Sequence, residues 1–96
     1  DMVTRANAYL DAGADVIFVL GLSDEEKVSR AVADIGGRIS VIGRPGAVPL
    51  LRLADLGVSR VSFGPYSLGL ALSHLLDAAT QLTALGEYPP ELGFKF

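Results

Sequence analysis

Apolar residues recur along the chain with two alternating periods. Met2, Ala6, Tyr9 and Leu10 fall at helical spacing, with Arg5 and Asp11 off the stripe. Gly13 then ends that helix from the position after its cap. The run Asp15-Val16-Ile17-Phe18-Val19-Leu20 is almost continuously apolar, the signature of a strand covered on both faces, as in parallel sheets. Ser23 and Glu26 form an S-x-x-E capping box, and Asp24, Glu25 and Glu26 suit the positive end of a helix dipole. Val28, Ala31, Val32 and Ile35 make the next buried stripe, stopped by Gly36-Gly37. Arg38 to Ile42 reads as a second strand.

A loop over Gly43 to Val48 follows, and Pro49 fits a first helical position. Leu50, Leu53 and Ala54 are expected to pack, and Gly57 to end a short helix. Val58 to Phe63 reads as a third strand, broken by Gly64-Pro65. A long helix is predicted from about Ser67 to Leu85. Its apolar stripe is Leu68, Leu72, Leu75, Ala79 and Leu82, and its wet face His74, Asp77 and Gln81. Two adjacent prolines, Pro89 and Pro90, bar a helix in the tail. The tail's aromatics point to docking, with a loosely ordered terminus as the alternative.

An internal repeat supports this layout. Asp11-Ala12-Gly13, Asp34-Ile35-Gly36 and Asp55-Leu56-Gly57 each close a helix ahead of a strand. Their glycines are 23 and 21 residues apart, the length of one short βα unit. Alternation with short links predicts a parallel sheet with right-handed crossovers. The fold class is therefore α/β: three parallel strands with helices, the C-terminal part of a (β/α)8 TIM-type barrel. Residues 1–86 form the partial barrel and residues 87–96 a C-terminal tail.

Length sharpens that picture. A closed barrel needs about 250 residues, and this chain has 96. Its start reads as the middle of a helix, which suggests a truncated beginning. Three parallel strands leave two unpaired edges. The expected partner is therefore a missing N-terminal barrel half or a second chain, and a homo-oligomer is expected. Eight basic against 11 acidic residues give a net charge of −3 with no basic patch, which argues against nucleic acid. No apolar run approaches a membrane span, and the start lacks a signal-peptide core. The absence of cysteine excludes disulfides and thiolate chemistry and fits a reducing, cytoplasmic location.

Candidate chemistry is sparse. Barrel active sites lie at the C-terminal ends of the strands. Those ends here offer one charge, Arg44, and one phenol, Tyr66. There is no carboxylate pair, no histidine and no metal-ligand cluster among them, so no catalytic residue is assigned and no metal ligand. Gly43-Arg44-Pro45-Gly46 ahead of a helix is suited to hold an anion through backbone N–H groups and Arg44. A turn needing glycine dihedrals is the plainer explanation. Gly64 before the last helix is a similar, weaker candidate. Ser40 and Ser62 lie inside strands and suit neither a nucleophile elbow nor a triad. His74 falls on the polar face of a helix, and capping accounts for Asp24, Glu25 and Glu26.

In series, three segments resemble the phosphoenolpyruvate mutase/isocitrate lyase superfamily. Arg5 to Val19 is similar to its sixth helix–strand junction. Ile39-Ser40-Val41-Ile42-Gly43-Arg44-Pro45-Gly46-Ala47 resembles its seventh strand and loop. Leu53 to Pro65 resembles its seventh helix and eighth strand. The resemblance implies a Mg2+-dependent lyase or phosphonomutase acting on small 2-oxo acids or related carboxylates, with a metal-stabilised enolate. It places the metal carboxylates and the catalytic loop upstream of these residues, so the chain alone is expected to be inactive. Ser40, Gly43, Arg44, Gly46 and Gly64 remain as substrate-side contacts. Two positions depart from the pattern: Leu20 stands where a polar residue such as His or Glu is frequent, and Ser40 where an asparagine is common. The superfamily also swaps its last helix between subunits, which the Leu68–Leu82 stripe would permit. Two other readings stay open: a phosphate-binding half-barrel of the thiamine-phosphate or indole-glycerol-phosphate type, and a non-enzymatic assembly module.

Overall fold

Helix and strand alternate through the computed structural model, which describes residues 1–92. The elements are α1 (Met2–Asp11), β1 (Val16–Phe18), α2 (Glu25–Asp34), β2 (Arg38–Ile42), α3 (Leu50–Asp55), β3 (Arg60–Ser62) and α4 (Tyr66–Leu85). A short 3-10 turn, Pro90–Leu92, follows. The three strands form one parallel sheet in the order β1-β2-β3. Val16 lies opposite Arg38 and Phe18 opposite Ser40; across the next pair Ser40 lies opposite Arg60 and Ile42 opposite Ser62. The chain divides into two compact units, Asp1–Gly64 and a second beginning at Pro65.

The core of the first unit is built from one face of the sheet. Strand side chains alternate between faces, and Ile17, Val19, Ile39 and Val41 are the buried set. They pack with Ala6 of α1, Val28 and Ala31 of α2, Ile35, and Leu53 of α3. The stripe expected on α2 is therefore as read. The other sheet face is different. Val16 and Phe18 are exposed, Phe18 at 46%, so the strand expected to be covered on both sides is covered on one. The apolar run reflects a strand whose second face has no cover within this unit.

Several local expectations are corrected. On α1, Met2 and Tyr9 are exposed, and the residues that turn inward are Val3, Ala6 and Leu10. Asn7 completes that i, i+3, i+4, i+7 line, and its polarity hid it. Its Oδ1 accepts the Gly36 N–H at 2.9 Å, and its Nδ2 donates to the Asp34 carbonyl at 3.2 Å. This side chain thus satisfies backbone groups left over where α2 ends. Asp1 caps α1 and accepts the Thr4 N–H at 2.8 Å.

The α2 cap is Asp24, not Ser23. Asp24 accepts the Lys27 N–H at 2.9 Å. Its carboxylate makes a charge-assisted bond there that a neutral hydroxyl cannot match. Ser23 instead accepts the Lys27 ammonium and donates to Asp24. Pro49 precedes α3 as its cap, one residue outside the first helical position. On α3 only Leu53 is buried; Leu50 and Ala54 are exposed. The third strand is shorter than expected, Arg60–Ser62 rather than Val58 to Phe63.

The second unit contains the long helix, and none of its residues is buried. Leu68, Leu72 and Leu75, expected as a packed stripe, are exposed, as are Leu70 and Leu76. With apolar side chains on several sides, α4 is not a helix with one apolar stripe. Gly86, left-handed at φ 75°, caps it. The tail is not wholly irregular, since Pro90 begins the 3-10 turn, where its fixed φ is tolerated. Phe94 and Phe96, two of the aromatics expected to dock, lie outside the described residues.

Candidate functional site

The strand ends bring together fewer free groups than their sequence offers. Gly43 follows β2 directly and is buried. Its N–H donates to the Ser62 carbonyl at 2.7 Å, so this amide continues the sheet rather than facing a ligand. Gly43 is needed for close approach: a Cβ there would meet the Phe63 ring at 2.9 Å and Val61 at 3.0 Å. Gly46 serves a turn instead. It has φ 79°, and the Ala47 N–H closes that turn onto the Arg44 carbonyl at 3.0 Å. Arg44 is exposed on this loop, and its guanidinium has no side-chain bond or ion pair among the described residues. Gly64 follows β3, and its N–H reaches the Ser62 hydroxyl at 3.3 Å.

Ser40 is the polar residue that the fold buries most completely, at 0% exposure. Its Oγ accepts from Arg60 Nη1 at 2.9 Å. Both lie on the face opposite the core, directly opposite each other across β2 and β3. Arg60 is the functional candidate that reading the sequence overlooked. The available signal was period-two alternation, which places residues 60 and 62 on the same face as Ser40 and Ile42. Ser40 sits within the sheet on Arg60, Gly43 is used by the sheet, and Arg44 and Gly46 lie on the following loop.

The remaining candidates fall elsewhere. Asp24 holds its helix cap, and the Lys27 backbone N–H lowers its carboxyl below the usual carboxylate range. Glu25 accepts from Arg52 Nε at 2.9 Å across α2 and α3, and that bond raises the Arg52 guanidinium above its ordinary value. His74 is exposed on α4. Among the described residues no group of three or more His, Asp or Glu side chains could hold a metal ion. At Ser40 the oxygen is already bound to a cationic guanidinium, which opposes a second cation there. The residues present do not fit a magnesium ion.

Residues 1–83 match the family described as phosphoenolpyruvate phosphomutase. The chain belongs to that family. Similarity to individual proteins agrees. An uncharacterized protein of Mycobacterium tuberculosis is 37% identical over 81 residues, covering 81% of this chain and 31% of that protein. The crystal structure of a candidate lyase/mutase from Burkholderia cenocepacia superposes with a TM-score of 0.82 at 36% identity, covering 92% of this chain and 32% of that one. For the fold alone, 2,3-dimethylmalate lyase, a PEP mutase/isocitrate lyase superfamily member, superposes with a TM-score of 0.78 at 23% identity. The match covers 94% of this chain and 36% of that enzyme. The chain thus spans about a third of the length of the relatives it matches. Its three parallel strands and their helices are part of a TIM-type barrel, as the alternation of elements implied.

Proposed function

We propose that this chain is the C-terminal flank of a lyase or phosphonomutase-type enzyme acting on small 2-oxo acids or related carboxylates, and that it turns nothing over alone. The observation that carries this reading is the family match over residues 1–83, set beside strand ends without a carboxylate pair or a metal-ligand cluster among the described residues. The magnesium dependence expected of such an enzyme rests on segments other than this one. What these residues contribute is architecture. Three strands supply part of the barrel wall, Ser40 and Arg60 fix polar groups on its inner face, and Arg44 stands at the rim as a cation for an anionic substrate.

The test is reconstitution. The 96-residue chain is assayed with magnesium against phosphonopyruvate and 2-substituted malates, alone and co-expressed with the roughly two-thirds of the Burkholderia lyase/mutase left uncovered by the match. Product, a 2-oxo acid from the malates or an enol phosphate from phosphonopyruvate, is expected only from the pair, and Arg44→Ala is expected to raise KM there by about tenfold, the loss of one charge-assisted contact. Turnover by the chain alone, or none by a folded pair, contradicts the reading.

A further inference from the structure

The uncovered face of the sheet carries two arginines as well as apolar side chains. Arg38 and Arg60 alternate on β2 and β3 with the buried Ile39 and the half-buried Val61, so both belong to the face opposite the core. With Asp15, Val16 and Ser59 they line a cleft of about 350 Å³ beside the strand starts. Among the described residues neither arginine has a carboxylate within 4.0 Å, whereas Arg30 and Arg52, on the helices, do. Two guanidiniums therefore share a cleft with one carboxylate, Asp15, that does not reach ion-pair distance of either. Arg60 has a single side-chain bond, to the Ser40 hydroxyl, which is neutral.

Water satisfies these charges while the face is open. The same face cannot be covered by a purely apolar surface, because a guanidinium removed from water without a counter-charge is strongly disfavoured. Val16, Phe18 and Ile42 nevertheless make it a face that favours cover. Apolar attraction and an unbalanced positive charge together specify the occupant. We infer that the part of the barrel that closes this face presents an inward-facing Asp or Glu to the Arg38–Arg60 pair, beside the starts of its own strands. An arginine fork is suited to a bidentate carboxylate at such a covered site. This inference rests on the barrel reading proposed above.

The experiment measures the dissociation constant between the 96-residue chain and the uncovered part of the Burkholderia lyase/mutase, by sedimentation and calorimetry. The first variant combines Arg60→Met with Ser40→Ala, so that no orphaned hydroxyl confuses the result. It is expected to bind at least about 100-fold more weakly, because it leaves the partner's carboxylate covered and unpaired. Arg60→Lys keeps the charge but loses the fork and is expected to lose about tenfold. Arg38→Met, at an exposed position with no side-chain bond among the described residues, supplies a second reading should the double variant fail to fold by circular dichroism. It too is expected to weaken binding by about tenfold or more. Arg44→Met, on the loop, is expected to bind as the wild type does. Wild-type affinity in the folded Arg60 and Arg38 variants overturns the charge pairing and leaves the barrel reading standing. No wild-type complex overturns both. Self-association of the chain through this face, abolished by Phe18→Asp and without binding to the Burkholderia part, overturns the inference in favour of a second copy.

Discussion

The two faces of the sheet share the same strands and both carry apolar residues, yet only one is packed under helices. Ile17, Val19, Ile39 and Val41 meet α1, α2 and α3, while Val16 and Phe18, one position away, meet water. The difference lies in what each face is offered. The short βα links return every helix of this unit to the same side of the sheet. That satisfies one set of alternating side chains and leaves the other uncovered by these helices. The polar residues differ as well. The helix-covered face is free of charge, whereas the open one holds Arg38, Ser40, Arg60 and Ser62. A sheet face that mixes aliphatic side chains with unpaired arginines is suited to a specific counterpart rather than to solvent or to indiscriminate association.

The sharpest way to break this contrast is truncation on either side. Ile39→Ala, at a residue 1% exposed, is expected to cost about 2–5 kcal/mol and to abolish cooperative urea unfolding of the chain. Phe18→Ala is the larger truncation in volume, yet it is expected to cost about 1 kcal/mol or less in the chain alone. Equal losses would mean that the open face is packed in solution. Next in size is Asn7→Ala, which leaves the Gly36 N–H and the Asp34 carbonyl to water. An expected loss of about 1 kcal/mol in the same titration would show that α1 is tied to the end of α2 by this side chain.

The smallest effect concerns pH. The Asp24 carboxyl is lowered mainly by the Lys27 backbone N–H it accepts, so its stabilisation is fully present above its ordinary value. That stabilisation disappears as pH falls from about 4 through the lowered native value. Asp24→Asn keeps a capping side chain without a titrating group. Its Tm is expected to fall less than the wild type's as the solution is acidified through that range. Parallel Tm curves for the two proteins would remove Asp24 from the acid response.

Much of the architecture was legible from periodicity. The order of helices and strands, the α2 stripe and the bounds of β2 follow directly from where apolar residues and glycines fall. The misreadings have separate causes. Ser23 and Asp24 are both capping residues, and charge decides between them. Pro49 and Leu50 differ by one place at the start of α3. Asn7 occupies an inward position that a search for apolar residues skips. Tertiary cover was the least legible feature, because Val16 and Leu68 look like core residues until the surface they would meet is sought. At the strand ends, the glycines were legible as special but not in role. Gly43 answers to the crowding of Val61 and Phe63, and Gly46 to a positive φ. Arg60 was hidden because chemistry was sought at the C-terminal ends of the strands, and Arg60 falls inside the expected strand Val58 to Phe63.

The face bearing Phe18 is proposed as the unfinished inner wall of a barrel. The chain contains no cysteine, so a single introduced thiol reports on one position without background. The decisive comparison is of thiol-labelling rates in Phe18→Cys and Val41→Cys, for the chain alone and with the uncovered part of the Burkholderia lyase/mutase. Residue 18 is expected to label fast in the free chain and to slow by about 100-fold or more when the complex forms, while residue 41 labels slowly in both states. Slow labelling at residue 18 in the free chain, or a rate there unchanged by a bound partner, would show that this face is not an unfinished wall.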